Sequence, residues 1–171
     1  MKKVLLIAGL AVLSVFTSYA QRFALIDMEY ILRNIPAFEM ANEQLNLLSK
    51  RWQAEVEAVQ QEAQNLFRAY QADLVFLSPE MKSHREIAII EKEKEAQELK
   101  RKYFGAEGEL FKRRESLIKP IQDEIYNAVK QISEEKGYAV VVDRASASSI
   151  IFASPQIDVS NDVLAKLGFS K

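Results

Sequence analysis

The chain of 171 residues contains no cysteine, and it has only one histidine, one tryptophan, five glycines and four prolines. Without cysteine it forms no disulfide and no thiolate metal site, and the lone His84 has no cysteine nearby with which to ligate zinc. Gly105 and Gly108 lie inside a charged helical pattern, so they do not form a phosphate-binding loop. We therefore predict no catalytic, metal-binding or cofactor-binding residue, and we do not expect an enzyme.

The chain also lacks an excess of charge of either sign. Lysine and arginine number 23 and aspartate and glutamate 24, which leaves a formal net charge of −1. Bulk attraction to nucleic acid needs a basic excess or a basic face. The composition therefore predicts no nucleic-acid partner.

Residues 1–20 read as a leader rather than as part of a fold. Lys2 and Lys3 precede an apolar stretch from Val4 to Phe16, and the small-residue ending Ser18–Ala20 follows. The apolar stretch of about 13 residues is shorter than the roughly 20 that a membrane-spanning helix needs, which disfavours an anchor. We predict a cleaved secretory signal peptide, and the absence of cysteine excludes a lipid anchor attached through that residue.

Two short apolar runs near the C-terminus predict strands. Val140–Val142 and Ile150–Phe152 are separated by a polar turn, which predicts a strand, a turn and a second strand within 137–155. The only comparable stretch, "RFALID" at 22–27, lies far upstream. The sheet is therefore split, and the intervening residues must be inserted between its strands.

Helical periodicity fills the gap between the strands. Apolar or small residues recur every three or four positions from Phe38 to Leu77, with a mean interval of about 3.55, close to the coiled-coil value. This spacing predicts one helix from about 29 to 77. Ser78 is placed to cap a second helix and Pro79 to open it, and its apolar seam runs from Leu99 to Ile132.

An antiparallel hairpin of these helices would pair residues whose numbers sum to about 157. Gly105 then falls opposite Trp52, although both glycines are equally compatible with a merely weakened helix. In this register the polar stretches 59–66 and 91–98 face each other. We therefore predict that the two helices pack weakly over this middle section, which we call the waist. Pro36 and Pro120 fall at the same position along the hairpin axis, and we predict that they mark where the hairpin leaves the body.

The predicted architecture is α+β and mostly α. Residues 21–38 and 118–171 form a small β-rich body, and 39–117 form an inserted antiparallel coiled-coil arm with its tip near 77–81. The body has too few residues to bury a hydrophobic core that would stabilise it alone. We therefore predict that it oligomerises. The residues predicted to contact other subunits lie in the strands and in the second apolar run: Phe23, Leu25, Val140, Val142 and Ile151.

The sequence resembles the Skp (OmpH-like) periplasmic chaperones over essentially the whole mature chain. The resemblance rests on the leader, on "ALID", on the long charged hairpin, on "YAVVVDR" and on the closing "DVSNDVLAKL" with Asp158, Ser160, Val163 and Leu164. It implies a homotrimer whose three helical arms enclose a cavity that holds unfolded outer-membrane proteins without ATP. Known members are often strongly basic, and this chain is not, so contact with anionic lipid or lipopolysaccharide is left open.

Apolar residues beside the seam are candidates for contact with such clients. They are Val75, Phe76 and Leu77 at the tip and Ile87 and Ile90 on the second helix. A second, mostly small stripe on the first helix has two open readings: shallow client contact, or packing where the arm meets the body or in a wider core face. It comprises Met40, Leu47, Ala54, Ala58, Ala69, Ala72 and Phe76. Phe104 and Phe111 share this ambiguity.

A non-catalytic structural or adaptor protein of the cell envelope is the alternative function. The seam alone fits both readings, because a fixed tether would also use a long coiled coil. A tether needs a well-filled interface along its length, whereas the polar waist favours a flexible arm.

Two features at the ends of the body receive structural interpretations. Asp27 and Asp143 both end strands, and we predict that they bind turn backbone rather than perform acid–base chemistry. Ser160 is predicted to cap a short helix over 161–167 that Gly168 ends.

Overall fold

A computed structural model describes residues 22–147 and 149–169. The elements in chain order are β1 (Arg22–Ile26), α1 (Met28–Arg33), α2 (Pro36–Asp73), α3 (Pro79–Phe104), α4 (Glu109–Lys136), β2 (Tyr138–Asp143), a 3-10 turn (Pro155–Ile157) and α5 (Ser160–Lys166). The predicted leader lies outside the described residues. None of the described helices combines the length and the apolar character needed to cross a bilayer.

The fold class is as predicted: α+β, mostly helical, with a long helical hairpin inserted between two strands. The described residues divide into a body unit, which comprises those up to Glu29 and those from Asn127 onward, and a hairpin unit, Tyr30–Tyr126. The predicted boundaries lie at 38/39 and 117/118, so the hairpin unit takes in more of the chain than the predicted arm. The predicted division itself stays a prediction.

The two strands of the body unit form a parallel pair. Phe23 aligns with Val140 and Leu25 with Val142. A parallel pair requires a long crossover connection, and the inserted helices supply it. On its other edge β1 makes a single bridge with Asp158, where the Val159 N–H donates to the Leu25 carbonyl at 2.8 Å. β1 is therefore the inner strand.

The second predicted strand, Ile150–Phe152, was wrong. These residues adopt no regular structure, and the sheet of the described residues has two strands. A β-branched run becomes a strand only where a neighbouring strand accepts its hydrogen bonds. Within this chain no strand pairs with 150–152 among the described residues, and local propensity alone does not form one.

The prediction of one helix from 29 to 77 was also wrong at its start. α1 ends at Arg33, and the N–H groups of Asn34 and Ile35 donate to carbonyls three residues back. Pro36 opens α2, and it forces the preceding Ile35 out of the helical region to φ −102° and ψ 112°. The proline therefore divides the predicted helix into a short and a long segment.

The long helices of the hairpin unit pack antiparallel, in the predicted register. Contacts between α2 and α3 include Trp52 with Tyr103 and Arg85 with Asp73, pairs whose numbers sum to about 157. The seam is buried at Ala41, Leu45, Val56, Ala63 and Leu77. The predicted cap of α3 is confirmed, since Ser78 Oγ accepts a hydrogen bond from the Met81 N–H at 3.3 Å.

The return arm of the hairpin is interrupted where the sequence predicted a continuous helix. α3 ends at Phe104, and α4 starts at Glu109 after a turn in which the Gly108 N–H donates to the Gly105 carbonyl. A Cβ at Gly105 would lie 2.4 Å from the Arg101 carbonyl oxygen. The local backbone therefore requires this glycine, and Trp52 is not among the groups nearest to it, contrary to the pairing we considered.

Pro120 does not disrupt its helix as predicted. It lies inside α4, which continues to Lys136. Only Pro36, at a helix start, marks a break. A proline in a helix interior costs one backbone hydrogen bond, and here the buried face of Ile118, Ile121 and Ile125 runs past it.

Trp52 stacks on Tyr103 with ring centroids 4.9 Å apart and an interplanar angle of 3°. The Tyr103 hydroxyl donates to Glu55 at 2.9 Å, and this bond raises the pKa of Tyr103 because it favours the protonated phenol. The pair fixes the two helices against each other beside the interruption.

Tyr103→Ala is expected to lower the urea midpoint of the hairpin by at least about 1 M, because it removes a buried ring and leaves a cavity against Trp52. Trp52 is the only tryptophan, so its fluorescence follows this unfolding directly. Tyr103→Phe, which deletes only the hydrogen bond to Glu55, should give a smaller decrease. Equal midpoints for parent and Tyr103→Ala would contradict the stacking role.

The predicted structural role of the strand-end aspartates agrees with their contacts in the body unit. Asp143 Oδ1 accepts from the Met28 N–H at 3.0 Å, at the start of α1, and from the Ala145 N–H at 3.1 Å. Arg144 bridges Asp27 Oδ2 at 3.1 Å and Asp158 Oδ2 at 3.2 Å. The carboxylates therefore join the ends of both strands to the segment before α5.

Ser160 does not cap α5 as predicted. It is buried, its Oγ accepts from the Asp27 N–H at 2.8 Å, and it donates to Asp158 Oδ1 at 2.6 Å. The serine hydroxyl is thus used in a long-range contact that sequence proximity does not indicate. Gly168 follows the helix at φ +85°, the left-handed conformation expected of a helix-ending glycine.

Asp143 is expected to make stability depend on pH in the acid range. Burial raises its pKa, but the hydrogen bonds from Met28, Ser146 and Ala145 together outweigh burial and hold the pKa below its ordinary value of 3.8. The stabilisation is therefore present above about pH 4 and is lost as pH falls through the lowered pKa. The urea midpoint of the parent should exceed that of Asp143→Asn at pH 7, and the difference should shrink below about pH 3.8; a constant difference would contradict this assignment.

Candidate binding surfaces

The end of the hairpin is a tight turn between capped helices. α2 ends at Asp73, the Phe76 N–H donates to the Asp73 carbonyl at 2.8 Å, and Ser78 caps α3. Hydrogen bonds from the helix-start backbone and from the Ser78 hydroxyl lower the pKa of Glu80. The Glu80 carboxylate therefore stays charged at the positive end of the α3 dipole.

Two side-chain contacts brace the helices just below the turn. Arg85 Nη1 lies 2.7 Å from Asp73 Oδ2, and the Tyr70 hydroxyl donates to the Glu86 carboxylate. This hydrogen bond raises the pKa of Tyr70, so the phenol remains protonated at neutral pH. These two contacts join α2 to α3 directly below the turn, from which the side chains of Val75 and Phe76 project.

Val75 and Phe76 are the most exposed large apolar residues of the hairpin unit, at 87% and 86%. Leu77, which we had grouped with them, is buried at 9% exposure. It belongs to the seam because it lies three residues beyond Leu74 on the inner side of the turn. The prediction that Leu77 is available to a client was therefore wrong, whereas Val75 and Phe76 are accessible.

The candidates on α3 and on the second stripe of α2 are also accessible. Ile87 and Ile90 are 53% and 61% exposed and lie three residues apart on one face of α3. Met40 and Leu47 are 64% and 70% exposed, which excludes that they widen the core of this chain. The four alanines of the stripe are exposed as well.

The polar waist has a small-residue floor. Ala63 and Ala96 are almost fully buried, and Lys92 forms ion pairs with Glu62 at 3.0 Å and Glu95 at 2.9 Å. These carboxylates raise the pKa of Lys92. Beside this floor a groove of about 610 Å³ is lined by Gln60, Ala63, Gln64, Phe67, Arg68, Glu93, Ala96 and Gln97.

Sequence reasoning missed Phe67 as a candidate. It is 48% exposed and forms the only aromatic wall of the groove at the waist. The signal was its position directly after the seam residue Leu66, which places it off the helix interface. Phe67 does not fit the spacing of the second stripe, so the stripe does not include it.

The sheet of the body unit carries a second exposed apolar surface. Because parallel partners point to the same face, all four predicted strand residues lie together: Phe23, Leu25, Val140 and Val142. Phe23 and Val140 are 52% and 45% exposed, whereas Leu25 is buried in its own chain at 6%. Phe23 and Val140 are therefore the accessible pair, and Val142 is half-buried.

Ile151 and Phe152 lie in the loop after β2, at 101% and 85% exposure. Phe152 is a residue that we had assigned to a strand but not to a contact surface. Within the described residues the outer edge of β2 has no strand partner, so its backbone donors and acceptors face outward. An open strand edge is suited to pairing with another polypeptide, and exposed apolar side chains add area that such a partner can bury.

The described residues contain no cluster of three or more histidine or acidic side chains able to hold a metal ion. Both surfaces expose apolar side chains. In the hairpin unit these side chains are dispersed, and in the body unit the strands and the loop after β2 carry them and β2 adds an open edge.

Three comparisons place these surfaces in context. The family model described as "Outer membrane protein (OmpH-like)" matches residues 22–167. "Chaperone protein Skp" of Yersinia enterocolitica is 26% identical over 161 residues, which cover 93% of each chain. A crystal structure of a candidate outer membrane chaperone (OmpH-like) from Caulobacter crescentus CB15 superposes with a TM-score of 0.67 over 85% of this chain and 82% of that one, at 14% identity, and so supports the fold alone.

Proposed function

The chain belongs to the OmpH-like family of outer membrane chaperones, and on this premise we propose that it is an ATP-independent holdase. Its clients are unfolded outer-membrane proteins, which it keeps from aggregating. It binds them in a cavity between the helical arms of a homo-oligomer, and the arms release them without a nucleotide.

The observation that carries the proposal is the dispersed exposure of apolar side chains on the hairpin. Val75, Phe76, Ile87 and Ile90 are each more than half exposed, and charged residues lie between the pair at the tip and the pair on α3. An unfolded barrel precursor offers many weak apolar segments, and each shallow contact contributes little free energy. Many such contacts hold a client firmly, yet each dissociates without an external source of energy.

The oligomer proposed here is a homotrimer, and the body carries its contacts. Phe23, Val140 and Ile151 supply accessible apolar area, and the open edge of β2 supplies backbone hydrogen-bonding groups. Leu25 and Val142 support this surface from within their own chain. In this proposal residues 21–38 and 118–171 act as the shared body and 39–117 as the arm.

The proposed location is the periplasm of a Gram-negative cell. Residues 1–20 have the sequence features of a cleaved signal peptide, and outer-membrane clients cross that compartment while unfolded. The chain contains no cysteine, so it forms no disulfide in that compartment.

The test is to dilute a urea-denatured outer-membrane β-barrel protein into buffer that contains the mature chain and no nucleotide. Light scattering should stay at baseline at a near-stoichiometric ratio of trimer to client. Bovine serum albumin at equal mass is the control for non-specific protection. Aggregation at the uninhibited rate, together with crosslinking in cells to a single folded partner, would instead support the alternative of an envelope adaptor.

A further inference from the structure

The groove at the waist of the hairpin is shaped by alanines. Ala63 on α2 and Ala96 on α3 face each other at 5% and 3% exposure, where larger seam residues would fill the space between the helices. The result is a trough of about 610 Å³, within the roughly 300–1,000 Å³ typical of ligand sites. Phe67 forms one wall and exposes about half of its surface.

Three glutamines line this trough with amides that are free to bind a ligand. Gln60, Gln64 and Gln97 are exposed, and within the described part of the chain their amides make no hydrogen bond. Gln61, which points elsewhere, does bond to Asn65 at 3.2 Å. Each free amide offers two N–H donors and one carbonyl acceptor, which complement the carbonyl acceptor and the N–H donor of a peptide unit.

The charge of the trough selects among possible occupants. Arg68 and Glu93 contribute one charge of each sign, so the lining has no net charge. A groove nearer the interruption is lined by Arg51, Lys112 and Arg113 against Glu109 and is net positive. A neutral, amide-lined trough with an apolar floor complements an uncharged polar strand better than an anionic or a cationic ligand.

We infer that this trough is a subsite for a short extended segment of an unfolded polypeptide. The glutamine amides bind the peptide groups of the segment, and one small or apolar side chain of it packs against Phe67 and the alanine floor. This recognition is independent of client sequence because every residue carries the same backbone groups. The inference rests on the proposed holdase function and deepens it.

The length of the trough sets the size of the segment. From Gln60 to Phe67 the helix rises about 10 Å at 1.5 Å per residue. An extended chain covers about 3.3 Å per residue, so the trough accommodates roughly three residues. A contact of this size is weak alone and serves a client that binds at several places.

The first test compares two adjacent substitutions. Phe67→Ala removes the wall of the trough, and we expect it to weaken binding of a urea-diluted unfolded barrel protein about three- to tenfold. Leu66→Ala is the matched control, since Leu66 is 40% exposed but does not line the trough. The control should lower the stability of the hairpin at least as much while it leaves client affinity near that of the parent.

The second test places charge in the trough without changing side-chain size. Gln60→Glu with Gln64→Glu should weaken client binding, because two carboxylates replace donors that face the peptide. Gln61→Glu with Asn65→Asp adds the same two charges outside the trough and should not. All affinities are measured by fluorescence anisotropy of the labelled client.

The outcomes separate the inference from the function on which it rests. If the parent fails to bind the client, the proposed function fails. If the parent binds and the trough variants bind as well as their controls, the function stands and the subsite is overturned. If Phe67→Ala changes the sedimentation coefficient but not client affinity, the trough holds a second copy of the chain, which also overturns the inference.

Discussion

Replacing Ile151 and Phe152 together with aspartate is expected to dissociate the assembly into subunits. Both side chains are almost fully exposed in the single chain, so the substitutions remove no contact within a subunit. Burying a large apolar side chain contributes about 1.5–3 kcal/mol. Loss of both, with a carboxylate placed in each position, removes several kcal/mol per interface and should shift the equilibrium by more than about a hundredfold.

Sedimentation velocity of the double variant at micromolar concentration measures this result. The expected species is a subunit with reduced stability, because the body unit has too little core of its own. An assembly that survives Ile151→Asp with Phe152→Asp would show that these side chains lie outside the subunit contacts, and the proposed surface on the body would be wrong.

The equivalent change at the tip should separate assembly from client binding. Val75→Asp with Phe76→Asp makes the same apolar-to-acidic replacement at two residues that are equally exposed. Because the turn is braced by Arg85 with Asp73, the hairpin should fold normally. Protection of an unfolded barrel protein should fall by about tenfold in effective concentration, since the most exposed apolar contacts of the arm are lost.

The two double variants are controls for each other. The tip variant should sediment as the parent does and protect poorly, whereas the variant at 151 and 152 should fail to assemble. Full protection by the tip variant would place the client contacts elsewhere on the arm, at Ile87 and Ile90 or at the waist.

Long periodic features were predictable from sequence because they repeat one physical rule many times. The seam from Phe38 to Leu77 and the cap at Ser78 were sufficient to predict the hairpin and its register. The shared sheet of β1 and the Val-rich run followed from the burial that such a run needs, whereas their parallel pairing came from the structure. Each of these features depends on many residues, so a single exception does not change the outcome.

The errors arose where one local contact decides the structure. Pro36 splits a helix that periodicity alone would continue. Ser160 resembles a helix cap, yet its hydroxyl serves Asp27, which lies far away in sequence. Leu77 is apolar at a tip, but the turn directs it inward; it is also the last residue of the seam, and this periodicity outweighed its place at the tip.

The prediction of a strand at Ile150–Phe152 was wrong for a different reason. Its sequence is that of a buried strand, and the chain alone supplies no strand beside it. Strand propensity depends on packing against neighbours more than on the residue itself.

Sedimentation equilibrium of residues 21–171 decides whether the body is complete in a single chain. We expect a single oligomeric species with a mass near three chains, unchanged over a wide range of micromolar concentrations. A monomer that remains cooperatively folded at these concentrations would contradict the account, because it would show that the body is complete without other copies.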